Sequence, residues 1–233
     1  MSLSKKQIDE YLENLEDAVE EILEASTEIY DKSIVEHKEV YEELLKLYKL
    51  LNMIYDSMYY QETMEPKDFE YLMKELFAPE DAEPFIKIYK QLYCDRYFGD
   101  ARTLLFIIAD TMAKYLEMAL IEQYVMVLLD VIEDKIRNNP QTLSYMLTKL
   151  RELKYSIEHM SYEGILTALI DIGVDEKIAQ FLLNLHGIIA LFYADTNAEY
   201  KVKELFEELG KKVNEVIRRI KSHEVKGSTS QRS

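Results

Sequence analysis

Apolar side chains recur at steps of three and four along most of this chain, and no alternating run is long enough for a strand of ordinary length. That period belongs to the α-helix, in which residues three and four apart share a face. Ile8, Leu12, Leu15, Val19 and Ile22 form one such seam with heptad spacing. Ser4 precedes it with Gln7 three positions on, the arrangement in which two side chains cap each other's backbone N–H groups. A second seam runs through Val40, Leu44, Leu47, Leu51, Ile54 and Met58, flanked every seventh position by Tyr41, Tyr48 and Tyr55. The seams are out of phase, because extending the first would bury Glu36 and Glu43. The chain must therefore break near residues 30–36, where Ser33 and Glu36 repeat the capping pattern. The pattern predicts an antiparallel, coiled-coil-like hairpin of residues 5–25 against 34–62.

Prolines, glycines and capping residues divide the rest of the chain. Pro66 opens a short helix to about Phe77, residues 78–84 read as a linker, and Pro84 starts a helix that turns Phe85, Ile88, Tyr89, Leu92 and Tyr93 inward. Gly99 and Asp100 read as a stop and an N-cap before a long helix over 101–137. Pro140 begins another, to about His159. Ser161 caps a helix over 162–172, Gly173 ends it, and Asp175 caps one over 176–194. A last amphipathic helix runs to about Lys221. The predicted fold class is all-α, a multi-helix bundle of eight or nine helices. Its predicted organisation is an acidic hairpin and short helix over 1–77, a bundle over 78–222 and a disordered basic tail over 223–233.

The most apolar stretch, residues 181–194, lies in an uncharged run over 178–194, and a lone His186 sits within it. At about 1.5 Å per residue that run scarcely spans a hydrocarbon core of roughly 30 Å. It also holds Gln180, Asn184 and Gly187, so it reads as a central helix rather than a membrane span. The longer run from Leu104 to Ile132 is interrupted by Asp110, Lys114, Glu117, Glu122 and Asp130. His186 is expected to pack in the core with a hydrogen bond to a neighbouring group. Metal centres need several convergent ligands, and His37, His159 and His223 are remote from it in sequence.

Composition changes the picture in two ways. Six glycines and four prolines favour long helices with few turns, and a single cysteine, Cys94, permits no internal disulfide. Cys94 reads as a small core residue, and the chain as cytoplasmic. The formal net charge of −16 is unevenly spread: residues 1–100 hold 25 acids and 11 bases, whereas residues 201–233 hold 5 acids and 9 bases. An acidic body repels polyanions, so contact with nucleic acid is left to the basic C-terminal end.

Candidate chemistry is sparse. Residues 166–183 carry the helix, glycine and helix spacing of a DNA-binding helix-turn-helix, but the second helix is too apolar to enter a groove. Lys211, Lys212, Arg218, Arg219 and Lys221 rim the apolar stripe Val213, Val216, Ile217 and Ile220, and are the candidate anion contacts. The same cations also suit a helix C-terminus docked on an acidic body. Tyr41, Tyr48 and Tyr55 are the candidate partner surface, since tyrosine joins apolar area to a hydroxyl. Glu36/Glu39 and Glu65/Asp68 are acid pairs three apart. In spacing they resemble the all-α nucleotide pyrophosphohydrolases of the MazG and dimeric dUTPase kind, which implies Mg²⁺ held by Glu36, Glu39, Glu65 and Asp68. Acid pairs three apart are expected about 8 times by chance at this acid content, as on any solvated helix face.

These features favour a non-enzymatic helical interaction or scaffold protein, self-associating through a seam too narrow for a monomer core. It is expected to need no cofactor and no catalytic or metal residue. The alternatives are an acidic polyanion mimic that blocks a basic nucleic-acid-binding protein, and the Mg²⁺-dependent hydrolase.

Overall fold

The computed structural model describes residues 4–60 and 63–229, without the side chains of 28 and 223–229. Among the described residues the chain forms nine α-helices and no strand, a multi-helix all-α fold. They are α1 (Lys5–Tyr30), α2 (Lys38–Tyr60), α3 (Pro66–Leu76), α4 (Pro79–Cys94), α5 (Phe98–Asn138), α6 (Leu143–Glu158), α7 (Tyr162–Ile172), α8 (Glu176–Asp195) and α9 (Glu199–Thr229). A 3-10 turn, Pro140–Thr142, leads into α6.

Helix ends show where local chemistry governs. Ser4 and Gln7 form the expected reciprocal cap, with Ser4 N–H donating to Gln7 Oε1 at 3.0 Å and Gln7 N–H to Ser4 Oγ at 3.3 Å. Ser161 Oγ accepts from Gly164 N–H, and Asp175 Oδ1 accepts from Lys177 and Ile178 N–H. Gly173 terminates α7 at φ 107°, a left-handed conformation that glycine adopts without a Cβ clash.

Other ends depart from the expected positions. Ser33 does not start α2: its hydroxyl accepts from Val35 N–H and its carbonyl from His37 N–H, so it organises a turn, and the helix begins at Lys38. Residues 79–84 are helical rather than a linker. Pro79 takes the first helical position, where a missing N–H costs nothing, and Pro84 falls one turn inside. Gly99 is no stop, because α5 already starts at Phe98. The left-handed residue after α4 is Arg96 at φ 62°, with Tyr97 N–H reaching back to the Leu92 carbonyl at 2.8 Å. Met160 and Asn197 play the same part after α6 and α8. The last helix continues past Lys221 to Thr229, since no proline interrupts it and Gly227 weakens a helix without breaking it. Of the predicted basic tail, residues 230–233 lie outside the described residues.

The chain divides into two compact units and passes between them three times, after Glu28, Tyr41 and Leu116. One comprises Met1–Glu28 with Glu42–Leu116, the other Ile29–Tyr41 with Glu117–Ser233, so α5 gives its first half to one and its second half to the other.

In the first unit the buried set includes Leu15, Val19 and Leu23 of α1, Leu44, Leu47, Leu51 and Ile54 of α2, and Phe69, Leu72 and Met73 of α3. The α1 stripe steps by four and four, to Leu23 rather than Ile22, following the drift of a straight helix instead of a heptad. Leu15, Val19 and Leu23 are at most 1% exposed, whereas Ile8, Leu12 and Ile22 of the predicted seam are half-buried. Tyr89 anchors the loop before α3. Its ring stacks on Phe69 at 3.8 Å, and its hydroxyl donates to the Met64 carbonyl at 2.7 Å while accepting Met64 N–H at 3.1 Å. Burial pushes that hydroxyl up to about 12. Replacing Tyr89 with Phe strands the Met64 amide and is expected to cost about 1–3 kcal/mol in urea unfolding. A cost below about 0.5 kcal/mol would show that solvent satisfies that amide instead.

In the second unit α6 and α8 each pack on both α7 and α9. Leu182, Leu185, His186, Ile189 and Phe192 of α8 are buried. By composition α8 is the one described helix long and apolar enough to cross a bilayer, but here it takes the place of a core helix. The helix-turn-helix spacing over 166–183 thus belongs to core packing. The predicted α9 stripe, Val213, Val216, Ile217 and Ile220, is buried as well.

Candidate functional site

The first unit carries a groove of about 560 Å³, open to solvent. One wall is a face of α1, Ala18, Glu21, Ile22 and Ala25, which lies beside the core stripe. The facing wall is the start of α4, Glu80, Asp81 and Pro84. Phe77 and Phe85 form the floor, their ring centroids 5.7 Å apart. The sequence builds this locally. Ala18 and Ala25, seven positions apart, keep the α1 wall low on either side of Ile22. The α3–α4 corner swings Phe77 and Phe85 under it, each retaining only 8–9% exposure. Ile22 is half-buried because the heptad register that would have taken it inside gives way to Leu23. Glu21, Glu80 and Asp81 are exposed along the rim.

A second hollow, about 420 Å³, lies between α6 and α7 in the second unit. It is lined by Glu152, Glu163 and Asp171 with Ser156, Ser161 and Thr167. Lys149 already neutralises two of these carboxylates, bonding Glu152 at 2.7 Å and Asp171 at 2.8 Å, and those bonds push its ammonium pKa up.

The residues singled out by sequence are dispersed. Tyr41, Tyr48 and Tyr55 are each half-buried. Tyr41 packs on Phe181 at 4.8 Å in the second unit, and Tyr55 stacks on Tyr59 at 5.8 Å in the first. Among the candidate anion contacts, Lys211 bonds Glu208 at 3.0 Å, Lys212 lies 3.7 Å from Glu122, and Arg219 lies 3.2 Å from Glu133. Arg218 and Lys221 are exposed. Much of this cationic stripe therefore ties α9 to acids of its own unit.

Glu36 and Glu39 belong to the second unit and Glu65 and Asp68 to the first. Glu39 lies 3.5 Å from His37, and Glu65 accepts the Tyr93 hydroxyl at 2.8 Å. Among the described residues no three His, Cys, Asp or Glu side chains gather as metal ligands. Cys94 is exposed rather than core, because it is the last residue of α4, where the chain peels away at Arg96.

Three polar groups lie wholly or partly inside, and the sequence pattern placed only His186 there. Gln123 is fully buried and makes three hydrogen bonds: its Nε2 donates to the Tyr30 and Lys32 carbonyls at 3.0 and 2.7 Å, and its Oε1 accepts Ile34 N–H at 2.9 Å. Glu117 accepts the Tyr193 hydroxyl at 2.8 Å. Burial raises its pKa, against the Tyr193 bond and the nearby Lys201, which lower it. His186 is fully buried, with Phe206 at 4.4 Å and Tyr162 at 5.1 Å between ring centroids. Contrary to expectation, neither of its nitrogens has a hydrogen-bond partner, since aromatic rings occupy its surroundings. Burial holds the imidazole pKa down to about 4.

Compared with models of protein families, with characterised proteins and with solved structures, the chain matches none.

Proposed function

We propose that this is a non-enzymatic helical interaction protein whose partner surface is the groove between α1 and the start of α4. The observation that supports this reading is the groove itself: an apolar floor of Phe77 and Phe85 with Ile22 on the wall beside it, reachable from solvent and framed by charged side chains. Interfaces share that anatomy, an apolar centre inside a polar rim. Its volume falls within the roughly 300–1,000 Å³ of pockets that hold a ligand or an anchoring side chain. We assign the partner to this groove rather than to the α1 seam because Leu15 and Val19 of that seam are at most 1% exposed.

A neutral apolar dye tests the groove without regard to partner charge. Nile red is expected to bind the folded chain with a blue-shifted, saturable emission, and Ile22→Lys is expected to weaken that binding at least about fivefold. Circular dichroism of the variant should be unchanged, because the new lysine can reach solvent. Equal binding by both proteins, or none by either, would remove the groove as a partner surface.

A further inference from the structure

We infer that the occupant of this groove is an amphipathic helix of a partner protein, carrying Lys or Arg on both flanks of its apolar stripe. The inference rests on the groove being the partner surface and adds the chemistry of what fills it. Both walls are helices, and among the described residues there is no strand whose edge could extend a bound strand, which leaves helix-in-groove recognition as the natural mode. From Ala18 to Ala25 the α1 wall is about 10 Å long, the length over which a bound helix presents anchors at i, i+3 or i+4, and i+7.

Charge then fixes the flanks. The lining contains carboxylates on both walls, Glu21 on one and Glu80 and Asp81 on the other, and no cation. Among the described residues none of the three is ion-paired, unlike Glu152 and Asp171 in the other hollow. Asp17, Glu20 and Glu24 extend the negative field along the exposed side of α1. An apolar ridge lowered onto Phe77 and Phe85 brings its flanking side chains against acids on both sides. Cations there gain from the field, while acids are repelled. The groove thus selects by sign as well as by shape.

The probe is a fluorescein-labelled synthetic helix of about four turns, with leucines at i, i+3, i+4 and i+7 and lysines on both flanks. Fluorescence anisotropy against the full chain, at physiological ionic strength, is expected to show saturable binding. Ile22→Lys and the double variant Glu80→Gln/Asp81→Asn should each weaken it at least about tenfold, while Glu163→Gln/Glu176→Gln, with the same change in net charge, should leave it within about twofold. A peptide with glutamates for lysines, and one with serines for leucines, should each bind at least about tenfold more weakly.

Equal loss from the remote double variant would mean general charge attraction and would overturn the assignment. So would tight binding of the glutamate peptide, or a dimer in light scattering that Ile22→Lys dissolves, which would make a second copy the occupant. Nile red separates the two levels: dye binding without peptide binding defeats this inference alone, whereas loss of both defeats the groove itself.

Discussion

Replacing Gln123 with leucine should destabilise the second unit by about 3–5 kcal/mol, although the change is toward an apolar residue of similar size in a buried position. The amide bonds three backbone groups of the segment between α1 and α2, two carbonyls and one N–H. That segment leaves the helical pattern at Tyr30 and resumes it at Lys38, so its own backbone cannot satisfy those groups. Leucine leaves the Ile34 amide buried without its acceptor and takes the Gln123 donor from the Tyr30 and Lys32 carbonyls, each loss costing about 1–3 kcal/mol. Gln123→Glu separates this cause from a packing defect. At neutral pH its carboxylate still accepts from Ile34 but faces two carbonyl oxygens, so it should be at least as damaging. On acidification the protonated acid can donate to one carbonyl, and the variant should recover relative to the wild type, whereas Gln123→Leu should not. Urea titration at two pH values, with hydrogen exchange at the Ile34 amide, provides the measurement. A loss under about 1 kcal/mol with unchanged exchange would mean that the segment is held by other means.

Gln123 also marks the limit of what the sequence displays. Helix periodicity reveals which residues turn inward, so most of the α2 seam, the central place of α8, the α9 stripe and the caps at Ser4, Ser161, Gly173 and Asp175 were legible. Such features depend on neighbours within one or two turns. The division into units was not legible, because it depends on where α5 passes from one set of neighbours to another, and the helical pattern does not change there. The same limit hid Arg96, Met160 and Asn197 as left-handed helix ends: their conformations are fixed by the packing on either side, against a modest local preference. The groove was hidden for a related reason. Its floor comes from the α3–α4 corner and its wall from α1, far apart in sequence, and Ile22 reads as a seam residue until the stripe is seen to drift to Leu23. The acid rim was visible only as part of a general negative charge. Which acids stand unpaired beside apolar surface is a property of the fold.

His186→Leu should make the stability of the second unit much less sensitive to acid. In the native state the ring lies between Phe206 and Tyr162 with no partner for either nitrogen, and it stays neutral until about pH 4. In the unfolded chain it takes a proton near its ordinary value of 6.5. Between those two values the unfolded state therefore binds more protons, so the stability that the neutral ring allows is complete above about pH 6.5 and is lost progressively as pH falls toward 4. The full displacement corresponds to about 3 kcal/mol. Leucine has no such titration, and carboxylates that also weaken the fold in acid, such as Glu70 with its Lys74 and Lys90 bonds, are common to both proteins and cancel in the difference. At neutral pH the variant should already be at least as stable, because removing a buried donor and acceptor without partners recovers about 1–3 kcal/mol before any loss in packing. Urea midpoints at pH 7, 5.5 and 4 measure the effect, with the gap between variant and wild type widening at each step. A gap that stays constant would show that the imidazole reaches a proton acceptor or solvent in the native fold, and parallel curves with the variant below the wild type would show that the ring's shape, rather than its unpaired nitrogens, governs this part of the core.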